Sequence, residues 1–270
     1  MDKRKRFDRI CNDIKRVKIQ GAESVAIACL KAYKLIPTNA SVKKLLSLRA
    51  TEPALKNALY YAKRFSVEDA SKHFLDSEYA TNKLVFKILK DNSVIFTHCH
   101  SSSVIDALIY AKNHGKRFSV LNTETRPLLQ GRKTARELAK RGINVVTMVD
   151  SAARLEIKRA DTMIIGCDAI LSDGSVVNKI GSGMFAEIAH NARKKVYIIT
   201  DSWKFSPKPV KIEERNFAEI WKTHLKHLKI KNPAFEKVDA KYITSIISEL
   251  GILKPKEFVK EVKRVYPSMR

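Results

Sequence analysis

From residue 93 onward, short apolar runs alternate with amphipathic stretches of helical period, and this alternation limits the fold more than any other feature. Residues 94–97, 118–122, 145–149, 163–166 and 196–200 read as strands, with helices over 103–114, 134–141, 151–159 and 183–192 between them. Strands this apolar need cover on both faces, so the pattern predicts an α/β fold with a Rossmann-like, doubly wound, mostly parallel sheet. Ahead of it no strand pattern interrupts a series of helices: Phe7, Ile10, Ile14 and Val17 on one face, then 22–33, 41–50, 53–64 and 67–89. The expected organisation is an N-terminal helical domain over residues 1–90 and an α/β domain over 91–270. Residues 169–171 and 176–177, around Asp173-Gly174, predict a hairpin. Beyond Pro207-Lys208-Pro209 lie Trp221, Leu225 and Leu228, and a last helix is expected near 240–250.

At 270 residues and 44% hydrophobic, the chain can bury one large core or two modest ones. The cysteines at 11, 29, 99 and 167 have no CxxC spacing, and no signal peptide is expected from a sequence without a long apolar run. They read as reduced thiols in a cytoplasmic protein with no membrane partner, no disulfide framework and no metal. The net charge of +24 is compatible with nucleic acid, an anionic substrate or a solvated lysine-rich surface. Because the lysines are spread along the whole chain with no arginine–aromatic stripe, the solvated surface is the leading reading.

Ligands of open parallel sheets bind beyond the carboxyl ends of the strands, where Cys99, Glu124, Asp150, Asp168 and Asp201 fall. One crevice is expected to gather all five. Cys99 precedes Ser101-Ser102-Ser103 and a helix start, where the N-terminus lowers a thiol pKa and three serines can hold an anion. Ser103 with Asp106 resembles a capping box; the alternative for Cys99 is a packed strand-end residue. Asp168 sits among apolar neighbours, so desolvation should raise its pKa enough to donate or relay a proton, unless it only caps a turn. His98 and His100 flank the thiol, but in an extended segment they point away from it, which argues against a metal. Gly21-Ala22 opens a helix where backbone amides can approach a phosphate. Arg49, Arg126, Lys179 and Lys204 are candidate phosphate partners, and Asn178-Lys179 lies at the foot of the hairpin.

In this order, THCHSSS (97–103), TETRPLLQG (123–131), VDSAAR (149–154), GCDAILSDGSVVNKIGS (166–182) and DSWKFSP (201–207) resemble one superfamily. It contains archaeal ribose 1,5-bisphosphate isomerase, methylthioribose 1-phosphate isomerase and the alpha, beta and delta subunits of eukaryotic initiation factor 2B. The archaeal isomerases look most similar, since they pair a Thr-His-Cys-x-Ser-Ser turn with a Gly-x-Asp-x-Ile strand end. That resemblance implies a cofactor-free aldose–ketose isomerase in a nucleoside or AMP salvage route. Cys99 would take the C2 proton of the sugar, and Asp168 would be the acid. It further implies a phosphate loop of Gln20, Gly21, Ala22 and Glu23 with Arg49 nearby. Ser101, Ser102, Ser103 and Lys204 would also contact phosphate, and Asn178 and Lys179 the sugar. Gln20 stands where catalytic members commonly carry Arg, and Arg49-Ala50-Thr51 where Arg-Pro-Thr is usual. The same resemblance implies a homo-oligomer, dimer or hexamer. It carries two alternatives: a regulatory subunit contacting a translation factor or RNA, and an isomerase with an apolar methylthio pocket.

Overall fold

Helices α1 (Lys3–Lys15), α2 (Ala22–Leu35), α3 (Asn39–Leu46), α4 (Pro53–Arg64) and α5 (Val67–Ile88) occupy the N-terminal third of the computed structural model, which describes residues 2–49 and 52–269. Their starts follow local chemistry. Thr38 and Ser66 accept the amide hydrogens of Ser41 and Asp69 as N-caps, and Pro53 fills the first turn of α4. Helix α3 stops at Leu46, with Ser47 as its C-cap, rather than running to 50. Ala50 and Thr51 of the Arg-Ala-Thr segment lie outside the described residues.

The alternating region follows: β1 (Ser93–Thr97), α6 (Ser102–Asn113), β2 (Phe118–Thr123), α7 (Gln130–Lys140), β3 (Asn144–Met148), α8 (Ala153–Arg159), β4 (Thr162–Ile165), β5 (Ala169–Leu171), β6 (Val176–Lys179), α9 (Ser182–Asn191) and β7 (Lys195–Ile199). It ends with β8 (Phe205–Ser206), β9 (Phe235–Val238), β10 (Ser245–Ser248), β11 (Gly251–Leu253) and α10 (Pro255–Val265). The large sheet has the order β11-β10-β7-β4-β1-β2-β3, parallel except for the edge strand β11. It is the mixed α/β, mostly parallel sheet that the alternation predicts.

Three further features differ from expectation. The segment read as a last helix near 240–250 is a short 3₁₀ turn followed by β10 and β11, and the last α-helix is α10. The 169–177 hairpin is not solitary, because β8 and β9 flank it in a second sheet of order β8-β5-β6-β9. Helix α6 begins at Ser102 with Ser101 as an N-cap that makes no side-chain cap bond. Ser103 and Asp106 therefore form no capping box, which leaves the first amides of α6 without a side-chain cap.

One apolar cluster runs from Phe7, Leu30 and Leu59 through Phe96, Met163 and Trp203 to Phe258. It packs the N-terminal helices onto the sheet and brings the start of α2 to the strand rim.

Candidate active site

A cleft of about 290 Å³ opens at the carboxyl ends of the parallel strands. Of the residues expected to serve the chemistry, Gln20, Gly21, Ala22, Glu23, Arg49, Cys99, Ser101, Ser102, Asp168, Asn178, Lys179 and Lys204 line it. Ser103, in the first turn of α6, lines instead a small neighbouring cavity.

The turn after β1 holds Cys99 in the left-handed region, at φ +66°. A non-glycine residue there needs external support. Thr125 Oγ1 accepts the Cys99 amide hydrogen at 3.0 Å, and Thr134 Oγ1 donates to the Cys99 carbonyl at 2.7 Å. The segment is thus not extended, and the expected alternation of side chains fails. His98 turns into the interior, while Cys99 and His100 both face the cleft. His98 Nε2 donates to the Ile180 carbonyl at 2.9 Å, and Nδ1 lies 2.5 Å from Thr123 Oγ1. Burial pushes its pKa down to about 4, so it is a neutral pillar between β1 and the loop before α9. With both ring nitrogens engaged by protein groups, His98 is not set up as a metal ligand.

Burial also reverses the expectation for the thiol. The Cys99 pKa is pushed up to about 12, and the nearby His100 amide and Lys179 only partly oppose the desolvation. Asp168 is raised by desolvation too, against the pull of Lys204, Arg49 and Lys179. Lys179, almost fully buried on β6, is lowered by its own desolvation. Cys99 and Asp168 are thus a desolvated thiol and carboxyl in one cleft, both biased toward their neutral forms.

Of the five strand-end groups, only Cys99 and Asp168 line the cleft. The other three carboxylates hold loops and partners together. Asp150 accepts the amide hydrogens of Thr125 and Arg126 at 2.9 and 2.7 Å, Glu124 pairs with Arg132 at 2.6 Å, and Asp201 lies 2.9 Å from His73. Arg126 is exposed outside the cleft.

The Gln20 side chain folds back to donate to the Val17 carbonyl at 2.8 Å, and Gly21 supplies φ +87° at the N-cap of α2. Glu23 accepts from the Ser102 hydroxyl at 3.1 Å, and burial raises its pKa. Both helix starts, of α2 and α6, thus share one protein carboxylate.

Several lining residues were not foreseen. Glu52 is buried against Arg49 at 2.8 Å, and its pKa is pushed up to about 7 by desolvation. Its spacing three residues after Arg49 was the available signal. Arg215 and Glu213 come from the irregular 207–234 segment, whose sequence has no periodicity to place them. Asp106, with Glu23, Glu78 and Glu137 around it, is driven up to about 7, mainly by burial.

For Asp106 the linkage sign is clear. The unfolded carboxyl ionises near 3.8 and the folded one near 7. Ionisation therefore removes stability as pH rises through that window, and the penalty is complete above it. Asp106→Asn should raise the melting temperature by several degrees at pH 8 and change it little at pH 4. Differential scanning fluorimetry at both pH values reads this, and an equal shift at both would count against the ionisation argument.

A doubly wound sheet whose ligand rim gathers Cys99, Asp168 and the cations Arg49, Lys179, Lys204 and Arg215 is the framework of an α/β protein with a small-molecule site at its strand ends. The initiation factor 2 subunit family matches residues 13–255, and the chain belongs to that family. It is 35% identical to ribose 1,5-bisphosphate isomerase of Thermococcus kodakarensis, over 91% of this chain and 90% of the relative. The Methanocaldococcus jannaschii protein of the same name is 34% identical over 90% and 89%. Among solved structures, translation initiation factor eIF-2B of Pyrococcus horikoshii superposes with a TM-score of 0.83 at 27% identity, covering 93% of this chain and 97% of that one. The chain is an enzyme of the isomerase class. Among the described residues no helix is long and apolar enough to cross a membrane.

Proposed function

We propose that the chain interconverts ribose 1,5-bisphosphate and ribulose 1,5-bisphosphate. The observation that carries this reading is the meeting, in one cleft, of Cys99 and Asp168 with Arg49, Lys179, Lys204 and Arg215. Two phosphoryl groups need several cations and helix amides, and the first turn of α6, which has no side-chain cap, adds donors. A methylthio group would need only an apolar end to the cleft, and no second set of cations.

In the proposed reaction Asp168 gives its proton to the ring oxygen as the C1–O4 bond breaks. The Cys99 thiolate removes the C2 proton, and the electron pair forms the C1=C2 bond of an enol phosphate. The C2 hydroxyl then returns a proton to Asp168, and the Cys99 thiol protonates C1. One proton moves from C2 to C1 and another from O2 to O4, so substrate and product are isomers and both protein groups are restored. Lys179 and Lys204 favour the charge that develops on the enol oxygen.

The test is direct turnover. Purified protein with ribose 1,5-bisphosphate in D2O should yield ribulose 1,5-bisphosphate by phosphorus and proton NMR. Absence of product, beside a relative active in the same buffer, would refute the reading.

A further inference from the structure

The rim of the large sheet carries a second cluster that the cleft does not use. His73 on α5, Asp201 just after β7 and Glu249 just after β10 place one ring nitrogen and two carboxylate oxygens within 4.8 Å of one another. His73 Nε2 and Asp201 Oδ2 form an ion pair at 2.9 Å that raises the imidazole pKa against its burial, although the pair is poorly aligned as a hydrogen bond. Glu249 Oε2 accepts from the Ser77 hydroxyl at 2.9 Å and the Ser202 amide at 3.2 Å, while buried Oε1 has no hydrogen-bond partner. Asp201 is only 6% exposed. Its other oxygen is occupied by the Trp203 amide at 2.7 Å.

A nitrogen and two oxygens this close, with one pair already joined and one carboxylate oxygen left without a donor, can converge on a shared point. A buried carboxylate oxygen left without a donor is costly, and a cation relieves that cost as well as a hydrogen bond does. Tetrahedral ligands bound at about 2.0–2.2 Å stand about 3.3–3.6 Å apart, so the cluster would close by about 1 Å at its widest pair while the 2.9 Å His73–Asp201 pair opens slightly. Two carboxylates and a neutral imidazole also cancel the charge of a dication.

We propose that His73, Asp201 and Glu249 bind one divalent transition cation of the Zn2+ class. The nitrogen and carboxylate donor set suits such an ion, whereas calcium and magnesium take oxygen donors. A neighbouring cavity of about 10 Å³, which Asp201 and Ser77 help to line, has room for roughly one water as a further ligand.

The ion acts as a staple, outside the chemistry of the cleft. It ties α5 to the ends of β7 and β10, strands that pair in parallel. Asp201 is also the cap of the 3₁₀ turn Ser202–Lys204, whose last residue lines the cleft, so the ion steadies the turn that carries Lys204. This inference does not depend on the reaction proposed above.

The experiment uses the untagged full chain, stripped with EDTA and titrated with Zn2+ by calorimetry, with uptake counted by mass spectrometry. One equivalent should bind and raise the melting temperature. Trp203 gives a site-specific readout. Its ring stacks on His73 at 3.8 Å and 7° and is fully buried, while the other tryptophan, Trp221, is 54% exposed. Equimolar Co2+ should therefore quench the blue-shifted emission of the buried indole and spare the red-shifted one. Glu249→Gln and His73→Gln should each weaken binding by on the order of 100-fold. No stoichiometric uptake, uptake that leaves the buried indole bright, or full affinity in both variants would overturn the assignment. If a variant does not fold, the quenching of the unmodified chain decides.

Discussion

Cys99→Ser is expected to lower kcat on ribose 1,5-bisphosphate by at least about 10³-fold while leaving the fold intact, since positioned proton transfer contributes roughly 10²–10⁴-fold and a serine hydroxyl is a far weaker acid than a thiol. The fold should survive because the turn is held through its backbone: the Cys99 amide donates to Thr125 Oγ1, and its carbonyl accepts from Thr134 Oγ1. Serine keeps both bonds and the φ of +66°. Asp168→Asn should cost a similar factor, because an amide neither donates nor regains the proton that ring opening requires. Steady-state kinetics beside circular dichroism read both variants; a variant that retains activity removes that residue's role.

The pH profile of the unmodified enzyme extends this expectation. The proposed active form holds Cys99 ionised and Asp168 protonated, the reverse of what their acidities favour, with the thiol near 12 and the carboxyl raised from 3.8. Between the two pKa values that form is a small, constant fraction. Below the carboxyl pKa it falls tenfold per pH unit. The logarithm of kcat/KM should therefore climb with a slope of about one to a shoulder above the ordinary carboxylate range, then stay flat well into the alkaline region. These limbs belong to the pair rather than to either group alone. A shoulder near 4, or a loss of rate around the ordinary thiol value, would contradict the burial that shifts both groups.

Much of this architecture is legible in the sequence because the central strands are buried on both faces. The apolar runs of β1, β2, β4 and β7 locate those strands to within a residue of their observed ends. Strand β10 is not legible for an equally physical reason. Ile243, Ile246, Ile247 and Leu250 fall at i, i+3, i+4 and i+7, a helical period, yet the free edge of β7 recruits residues 245–248 as a parallel strand. Tertiary pairing decided there against local periodicity. Strand β9, with Glu236 and Lys237 at its centre, is recognisable only through its pairing with β6.

The cleft divides along similar lines. Cys99 and Asp168 are readable because strand ends and flanking turns announce them. The strand-end position by itself did not separate them from Glu124, Asp150 and Asp201, which hold loops and His73 instead. The direction of the Cys99 shift was also not readable. It depends on how deeply the thiol is buried, and that is set by packing from distant parts of the chain. Gln20 shows the same limit at one residue: its identity is plain in the sequence, but its bond back to the Val17 carbonyl is visible only in the fold.

Gly131→Ala is expected to destabilise the protein by about 3 kcal/mol or more, a large effect for a single methyl group. Gly131 lies in the first turn of α7, where a Cβ would come within 1.8 Å of the Thr123 carbonyl oxygen and 2.9 Å of the Glu124 carbonyl carbon. Both are backbone atoms at the end of β2 and cannot rotate aside. The contact is close because Gly131 is bonded to that strand end on both sides. Its amide donates to the Glu124 carbonyl at 3.1 Å, and its carbonyl accepts from Asn122 Nδ2 at 2.8 Å. Relief of the clash would move α7 away from β2, breaking these bonds and shifting Thr134, whose hydroxyl holds the Cys99 carbonyl. Urea denaturation of Gly131→Ala should therefore show a lower midpoint, and any folded fraction should turn over more slowly than its stability loss alone requires. An unfolding free energy within about 0.5 kcal/mol of the unmodified chain would mean that the helix and the strand do not approach this closely. The glycine that ends the Thr-Glu-Thr-Arg-Pro-Leu-Leu-Gln-Gly segment would then need a different explanation.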